Sequence, residues 1–411
     1  MSETTSSPTV AIIGAGPAGL IAAETLARAS VTVSVYDAMP SPARKFLMAG
    51  RGGLNLTHSE ELDTFLTHYG DARAVLEPMI RAFGPDALRQ WCEDLGEETF
   101  VGSSKRVFPK SMKASPLLRA WLKRLGDLGV TLHPRHRWTG WNDGALTFET
   151  PDGPVARTAD ATLLALGGAS WPRLGSTGAW TAILAAHDVP VTPLAPANCG
   201  FDVAWSDVFS ERFAGRPLKT VTVSFDGRAV RGDAMITAHG IEGGAVYALS
   251  APLREAIARD GPVPLAVDLR PDMSLDALIA RLSRPRGKQS QTAFLRKAAG
   301  LAPEAIGLLR EAAGKDLPTE PEALARLVKS ATLTLTATRP IDRAISSAGG
   351  VSRAAVDSAL MLRTMEGVFV AGEMLDWEAP TGGYLLQACF STGVTAAQGM
   401  LSFMKGTAPQ Q

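Results

Sequence analysis

A glycine-rich turn set between a short apolar run and a long breaker-free stretch restricts this chain more than any other feature. Val10 to Ile13 is apolar, Gly14-Ala15-Gly16-Pro17-Ala18-Gly19 follows, Pro17 to Ala29 reads as an Ala/Leu-rich helix, and Val31 to Tyr36 alternates as a second strand ending at Asp37. Strand, turn, helix and strand inside about 30 residues form the unit of a parallel βαβ crossover, so an α/β sheet begins here. The three glycines then act differently. Gly14 permits the tight turn, Gly16 lets backbone approach a pyrophosphate, and Gly19 lets helix pack on strand. Phosphate sits at the positive end of the helix dipole, where Pro17 and Ala18 open the helix. A carboxylate at Asp37 accepts hydrogen bonds from both hydroxyls of an adenosine ribose and disfavours a 2′-phosphate. The expected ligand of Gly14, Gly16, Pro17, Ala18, Gly19 and Asp37 is therefore FAD or NAD, not NADP.

The chain has 411 residues, more than one simple core holds, and two or three units are expected. Glu61 to Leu128 reads as mostly helical, with Leu117, Trp121 and Leu125 on one face, and strand-like runs follow at Ala145 to Phe148 and Ala161 to Ala165. Beyond Pro193 the runs Thr220 to Phe225, Asp233 to Thr237 and Pro264 to Leu269 are short and β-branched, as in an antiparallel sheet or barrel. Ser274 to Ser330 is helical again, and Thr332 to Thr338 alternates as a strand. The expected division is a nucleotide-binding domain over 1–193 and 339–411, a β-rich insert over 194–272 and 331–338, and a helical subdomain over 273–330.

What lies downstream separates FAD from NAD. Gly367 to Glu373 is an apolar strand that ends on glycine and an acid, the device by which two-dinucleotide-binding-domain flavoproteins set backbone and a carboxylate against the ribityl-phosphate half of FAD. Thr381-Gly382-Gly383-Tyr384 then opens a helix to about Met400, whose positive end stabilises negative charge gathering at the flavin pyrimidine on reduction. Gly372, Glu373, Gly382, Gly383 and Tyr384 are thus candidates for the flavin half.

Further segments carry a resemblance. Arg44-Lys45-Phe46-Leu47-Met48-Ala49-Gly50 with Asn55-Leu56-Thr57-His58, Arg106 to Ser111 with Lys113-Ala114, Leu166 to Pro172 with Gly175 to Gly178, Thr237 to Ile241 with Gly243 to Ala245, and the C-terminal Ala371-Gly372-Glu373 and Thr381 to Tyr384 all match in order. Over nearly its whole length the chain resembles the BaiN-like family of bacterial NAD(P)/FAD-dependent oxidoreductases. The resemblance implies bound FAD and an α/β, Rossmann-like two-dinucleotide-binding-domain fold interrupted by a β-barrel-like part and a helical part. It also places Arg44, Lys45, Gly50, Gly52, Asn55, Gly167 and Gly168 along the cofactor. Activities in the family include reduction of conjugated double bonds in dehydro-steroids, oxidation of a small amino ketone and reduction of uridine in ribosomal RNA. The chain departs from the family pattern at Arg51, at Gly53-Leu54 where Arg-Cys is usual, at Ala179-Trp180 where Asp-Gly is usual, and at Glu242 where serine is usual. No thiol role and no relative's substrate carries over.

His239, in a glycine-flanked loop, is the first candidate for proton transfer because imidazole titrates near neutral pH, and Tyr384 is the second; simple hydrogen bonding to backbone or packing on a ring are the competing roles. No second GxGxxG occurs, so NADH or NADPH is expected only as a transient donor. Three separated cysteines and no CxxC pair give neither a dithiol relay nor a metal site. With 41 basic against 41 acidic residues there is no global pull to nucleic acid or membrane. Two acid-free basic stretches, Lys105 to Arg124 and Arg281 to Lys297, read as solvated faces first and RNA or nucleotide-phosphate contacts second. The polar opening MSETTSSPT predicts no secretory leader, no apolar run reaches the ~20 residues of a membrane span, and the cytosol fits. The resulting expectation is an FAD-dependent oxidoreductase acting on an unsaturated or amino-ketone small molecule. Its alternatives are a flavin-dependent enzyme reducing uracil in RNA and a flavin-binding module without turnover. Oligomeric state is left open.

Overall fold

The computed structural model describes residues 8–50, 52–314 and 316–406; the opening polar stretch and Arg51 lie outside them. The chain divides into two compact units, Met1–Ala195 with Ser346–Gln411, and Pro196–Ile345.

The first unit is centred on a five-stranded parallel sheet in the order Val368–Val370, Ala161–Leu164, Thr9–Ile13, Thr32–Asp37, Thr131–Pro134. Val10 to Ile13 and all of Ala161–Leu164 and Val368–Val370 are buried, which is why these strands read as continuous apolar runs instead of alternating. The outer strand Thr131–Pro134 is mostly open to solvent and ends on proline, a residue suited to an edge. Thr9–Ile13 lies between strands on both sides, so the crevice at its carboxyl end is the topological switch point where α/β folds bind ligands.

The fingerprint helix Pro17–Arg28 and the C-terminal helix Tyr384–Met404 pack so closely that a Cβ on Gly393 would stand 2.4 Å from the Ala18 carbonyl oxygen. Buried Glu24 holds the same fingerprint helix to two others: it accepts from Trp91 Nε1 at 3.0 Å, Arg124 Nη1 at 3.2 Å and Arg28 Nη2 at 2.9 Å. Leu117, Trp121 and Leu125 are fully buried on the inner face of Ala114–Asp127. The mostly helical stretch contains one feature beyond its periodicity: Thr99–Val101 and Arg106–Pro109 form a hairpin, turned by Gly102 and by Lys105 in the left-handed region at φ +60°.

The second unit is a closed six-stranded barrel in the order Phe201–Val203, Gly240–Glu242, Arg228–Ile236, Pro217–Phe225, Val263–Asp268, Ala331–Thr338. Ala331–Thr338 points Leu333 and Leu335 inward and pairs with both Phe201–Val203 and Val263–Asp268, which closes the barrel and removes its edges. Helices Leu275–Leu282, Gln291–Ala298, Pro303–Ala313 and Pro321–Lys329 fill the connection before that strand. The return to the first unit falls at Ile345/Ser346, later than residue 339, because Arg339 still bonds Asp202 at 2.7 Å and Ala344 is buried in the barrel core. No helix among the described residues is long and apolar enough to cross a membrane.

Candidate cofactor site

The expected adenosine end is made almost wholly of backbone. Gly14 has φ +108° and donates to the Tyr36 carbonyl at 2.8 Å, and a Cβ there would come within 2.3 Å of the Ala165 oxygen. A Cβ on Gly19 would lie 2.0 Å from the Gly14 oxygen, so the helix touches the turn only because both are glycine. Gly16 differs: beyond its chain neighbours no described atom lies within 4 Å of its Cβ position. The helix begins there with no side-chain cap and no acid in its first turn, so its leading N–H groups are available to an anion. Asp37 accepts from Ala15 N through Oδ2 and from Met39 N through Oδ1, each at 2.8 Å. Burial raises its pKa above the ordinary value against the lowering effect of those two donors and the nearby Arg44 charge. Each oxygen keeps a lone pair for a ribose hydroxyl.

The expected flavin end is assembled from segments far apart in the chain. Gly372, at φ +82°, follows the strand Val368–Val370, donates to Thr392 Oγ1 at 3.0 Å, and would place a Cβ 2.9 Å from Ala18 Cβ. This contact sets the C-terminal segment on the fingerprint helix. Glu373 sits in a 3₁₀ turn; its Oε2 accepts from Lys45 Nζ at 2.7 Å and its Oε1 from Ser347 N at 3.0 Å. Lys45 Nζ also donates to Ser170 Oγ at 2.8 Å, with Ser176 Oγ at 3.4 Å. Gly168 must lack a side chain because a Cβ would meet Ser347 Oγ at 2.2 Å, and the Gly167 carbonyl accepts from Trp180 Nε1 at 2.8 Å. Trp180, one of the departures from the family pattern, thus pins the glycine turn.

Gly382 and Gly383 take φ +144° and +99°, and a Cβ on Gly383 would strike Thr57 Cα at 2.5 Å. The C-terminal helix therefore starts hard against the loop after Gly50, again with no side-chain cap and no acid in its first turn. The Tyr384 phenol donates to Glu60 Oε1 at 2.7 Å, its ring lies 4.2 Å from that of His68, and burial together with Glu60 pushes its pKa upward. Asn55 Oδ1 is buried and has no hydrogen-bond partner among the described residues, and Gly52 has no described atom within 4 Å of its Cβ position. Burial pushes the Cys389 thiol up to about 12, so it is no thiolate. Two uncapped helix starts, a buried amide oxygen and two open glycines fit a dinucleotide carrying a flavin, with Gly14 to Gly19 and Asp37 expected toward the adenosine and Lys45, Gly52, Asn55, Gly167, Gly168 and Gly372 to Tyr384 expected toward the flavin.

The family model described as the HI0933-like protein Rossmann domain matches residues 8–399. The chain belongs to this family. It is 26% identical over 405 residues, 95% of this chain and 98% of the relative, to a 3-dehydro-bile acid delta(4,6)-reductase of Clostridium scindens. It is 24% identical over 410 residues, 94% of this chain and 96% of the relative, to a ribosomal RNA dihydrouridine synthase of Haemophilus influenzae. Among solved structures it shares its fold with 3-ketosteroid delta1-dehydrogenase from Sterolibacterium denitrificans, with a TM-score of 0.52, 14% identity, and coverage of 96% of this chain and 100% of that one.

Within this HI0933-like chain every cofactor candidate named from sequence falls in the first unit, while His239 falls in the second. It is exposed on the turn between Arg228–Ile236 and Gly240–Glu242, where its carbonyl accepts from Val203 N at 2.9 Å. The sequence reading gave no role to Ser170, Ser176, Ser347 or Glu60. The two serines at 170 and 176 lie inside matched segments and were open to discovery there; Ser347 and Glu60 belong to no motif and become visible only through Glu373 and Tyr384.

Proposed function

We propose that this chain is an FAD-dependent oxidoreductase that moves hydride between a nicotinamide donor, NADH or NADPH, and an unsaturated or amino-ketone small molecule. The carrying observation is that two uncapped helix starts, one from each end of the chain, are joined through Gly372 and Gly393 on Ala18. Bound FAD would supply two-electron chemistry. The chain's own residues bind and orient: Gly14, Gly16, Gly19 and Asp37 the adenosine diphosphate, and Lys45, Asn55, Gly372, Glu373, Gly382 and Gly383 the flavin half. Tyr384, its hydroxyl given to Glu60, orients the helix start. His239 is proposed for proton transfer, since its imidazole is exposed. An apolar substrate is supported by the rim beside the flavin loop: Met112 Cε is 2.6 Å from the Gly53 Cβ position, and Phe100, Val101 and Met112 are exposed at 38%, 45% and 38%. Three cysteines far apart in the sequence with no CxxC pair suit a reducing compartment such as the cytosol.

The test is to purify the protein, reconstitute it with FAD, read the flavin absorbance and follow stopped-flow bleaching with NADH and NADPH. Bleaching by a nicotinamide donor, then reoxidation by an enone, is the expected result for an unsaturated substrate; an amino ketone, which is oxidised, should itself bleach the flavin, with oxygen restoring it. A reconstituted flavin inert to both donors and to oxygen leaves a binding module without turnover, and a chain that takes up no FAD ends the proposal.

A further inference from the structure

Three ionisable side chains converge on one carboxylate oxygen beside the start of the C-terminal helix. Glu60 Oε1 accepts a hydrogen bond from the Tyr384 hydroxyl at 2.7 Å and lies 3.2 Å from His68 Nε2 and 3.4 Å from His58 Nδ1. The same segment encloses the Tyr384 ring, with centroid distances of 4.2 Å to His68, 4.9 Å to Phe65 and 5.6 Å to His58. Residues 58–68 thus form a seat for the first residue of the helix Tyr384–Met404. The turn before it has no slack, because a Cβ on Gly382 would lie 2.5 Å from Tyr384 Cε2.

The two imidazoles differ in kind. Glu60 N donates to His58 Nδ1 at 3.3 Å, and His58 Nε2 lies 3.1 Å from the Ser104 carbonyl, which requires a donor, so both of its nitrogens are used in one tautomer. His68 Nε2 faces a carboxylate and carries its hydrogen there, which leaves Nδ1 as the nitrogen that takes a further proton. With its side chain 33% exposed, solvent reaches it. Burial holds the His68 pKa below the ordinary 6.5 against the pull of Glu60, and His58 acts in the same direction as burial. Protonation puts a cationic donor on the oxygen that also holds Tyr384; such a donor binds a carboxylate about twice as strongly as a neutral one, and two donors on one oxygen weaken each other. Arg106 of the hairpin and Tyr69 also face Tyr384. Arg106 is a fixed charge and burial raises the Tyr69 pKa, so the proton that moves near neutral pH belongs to His68.

We propose that Glu60 and His68 are positioning residues: Glu60 fixes Tyr384 and with it the Gly382–Gly383 turn, which on the FAD reading above is the flavin end, and protonation of His68 loosens that hold. FAD spans both ends of the site and ADP only the adenosine end, so the ratio of their affinities isolates the flavin end and cancels the titration of Asp37.

The seat is tested first without cofactor, by hydrogen exchange at the Gln387 amide, which donates to the Gly383 carbonyl at 3.0 Å in the first turn of the helix. Glu60→Gln and Tyr384→Phe should each lower its protection about tenfold, and the double variant no further, because both remove the same bond. Between pH values of about 8 and 5 the wild-type protection factor should fall about threefold, with a midpoint below the ordinary 6.5. His68→Gln, which keeps a neutral donor and removes the titration, should abolish that step. With FAD the affinity ratio should show the same tenfold loss in Glu60→Gln and the same threefold pH step. By reciprocity FAD should move the His68 titration, followed by NMR of its ring, down by about half a pH unit. Protection of Gln387 untouched by Glu60→Gln, or a pH step that survives His68→Gln, overturns the proposal. Failure of the chain to take up FAD ends the oxidoreductase reading instead, and the exchange measurements still decide the seat.

Discussion

The two ends of the candidate site are built in opposite ways. Residues 9–37 supply the adenosine end as one contiguous strand, turn, helix and strand, shaped by glycines that touch neighbouring backbone. The flavin end takes Lys45, Thr57, Gly168, Ser347, Glu373 and Gly383 from scattered segments and holds them by side-chain contacts such as Lys45–Glu373. A locally encoded end stands or falls with the fold, because its geometry is backbone packing. An assembled end can lose one partner and leave the fold largely standing.

The largest expected effect breaks the contiguous end. Gly19→Val puts Cβ 2.0 Å from a carbonyl oxygen that no rotamer can avoid, and should cost more than about 3 kcal/mol in chemical denaturation or give no folded protein. A stable Gly19→Val would mean the turn is more pliable than its contacts imply. Lys45→Met breaks the assembled end: it leaves the Glu373 carboxylate, 14% exposed, without its cation and should cost about 1–3 kcal/mol. Flavin retention should fall with it while ADP affinity, measured by calorimetry, holds; equal loss of both would erase the distinction between the ends.

Gly16→Ala sharpens the comparison from inside the adenosine end. Its Cβ meets no protein atom, so stability should move by less than about 1 kcal/mol while FAD affinity drops at least about tenfold. The smallest effect is in pH. Asp37 has a raised folded pKa, and ribose hydroxyls favour its charged form, so affinity is full at neutral pH and declines as pH falls through that raised value, beginning above the ordinary 3.8. Flavin fluorescence on acidification should show this release, and Asp37→Asn should flatten it; a wild-type curve that declines only below the ordinary aspartate range would contradict the burial of this carboxylate.

Four strands of the parallel sheet, the fingerprint and the barrel strand Ala331–Thr338 were legible in the sequence because each rests on local periodicity, while the outer strand Thr131–Pro134, short and partly exposed, was not. Nor was the hairpin of Thr99–Val101 and Arg106–Pro109, since two short strands inside helical surroundings offer no period long enough to read. Among candidate site residues Asp37 was placed by spacing, while the neighbours of Glu373 were invisible: Ser347 lies 26 residues away and Lys45 lies 328 away.

By itself the sequence determined that this chain begins a parallel α/β sheet with a dinucleotide turn, because strand, glycine and helix signals all act within a few residues of one another. Only tertiary structure decided that Gly372 rests on Ala18 and that Lys45 neutralises Glu373. It also decided that Lys110, Lys123 and Arg124 of the first basic stretch find acids, while among the described residues no cation of the second does. Those outcomes depend on which distant segments meet, and charge pairing and steric fit act over a few ångströms of space whatever the separation along the chain.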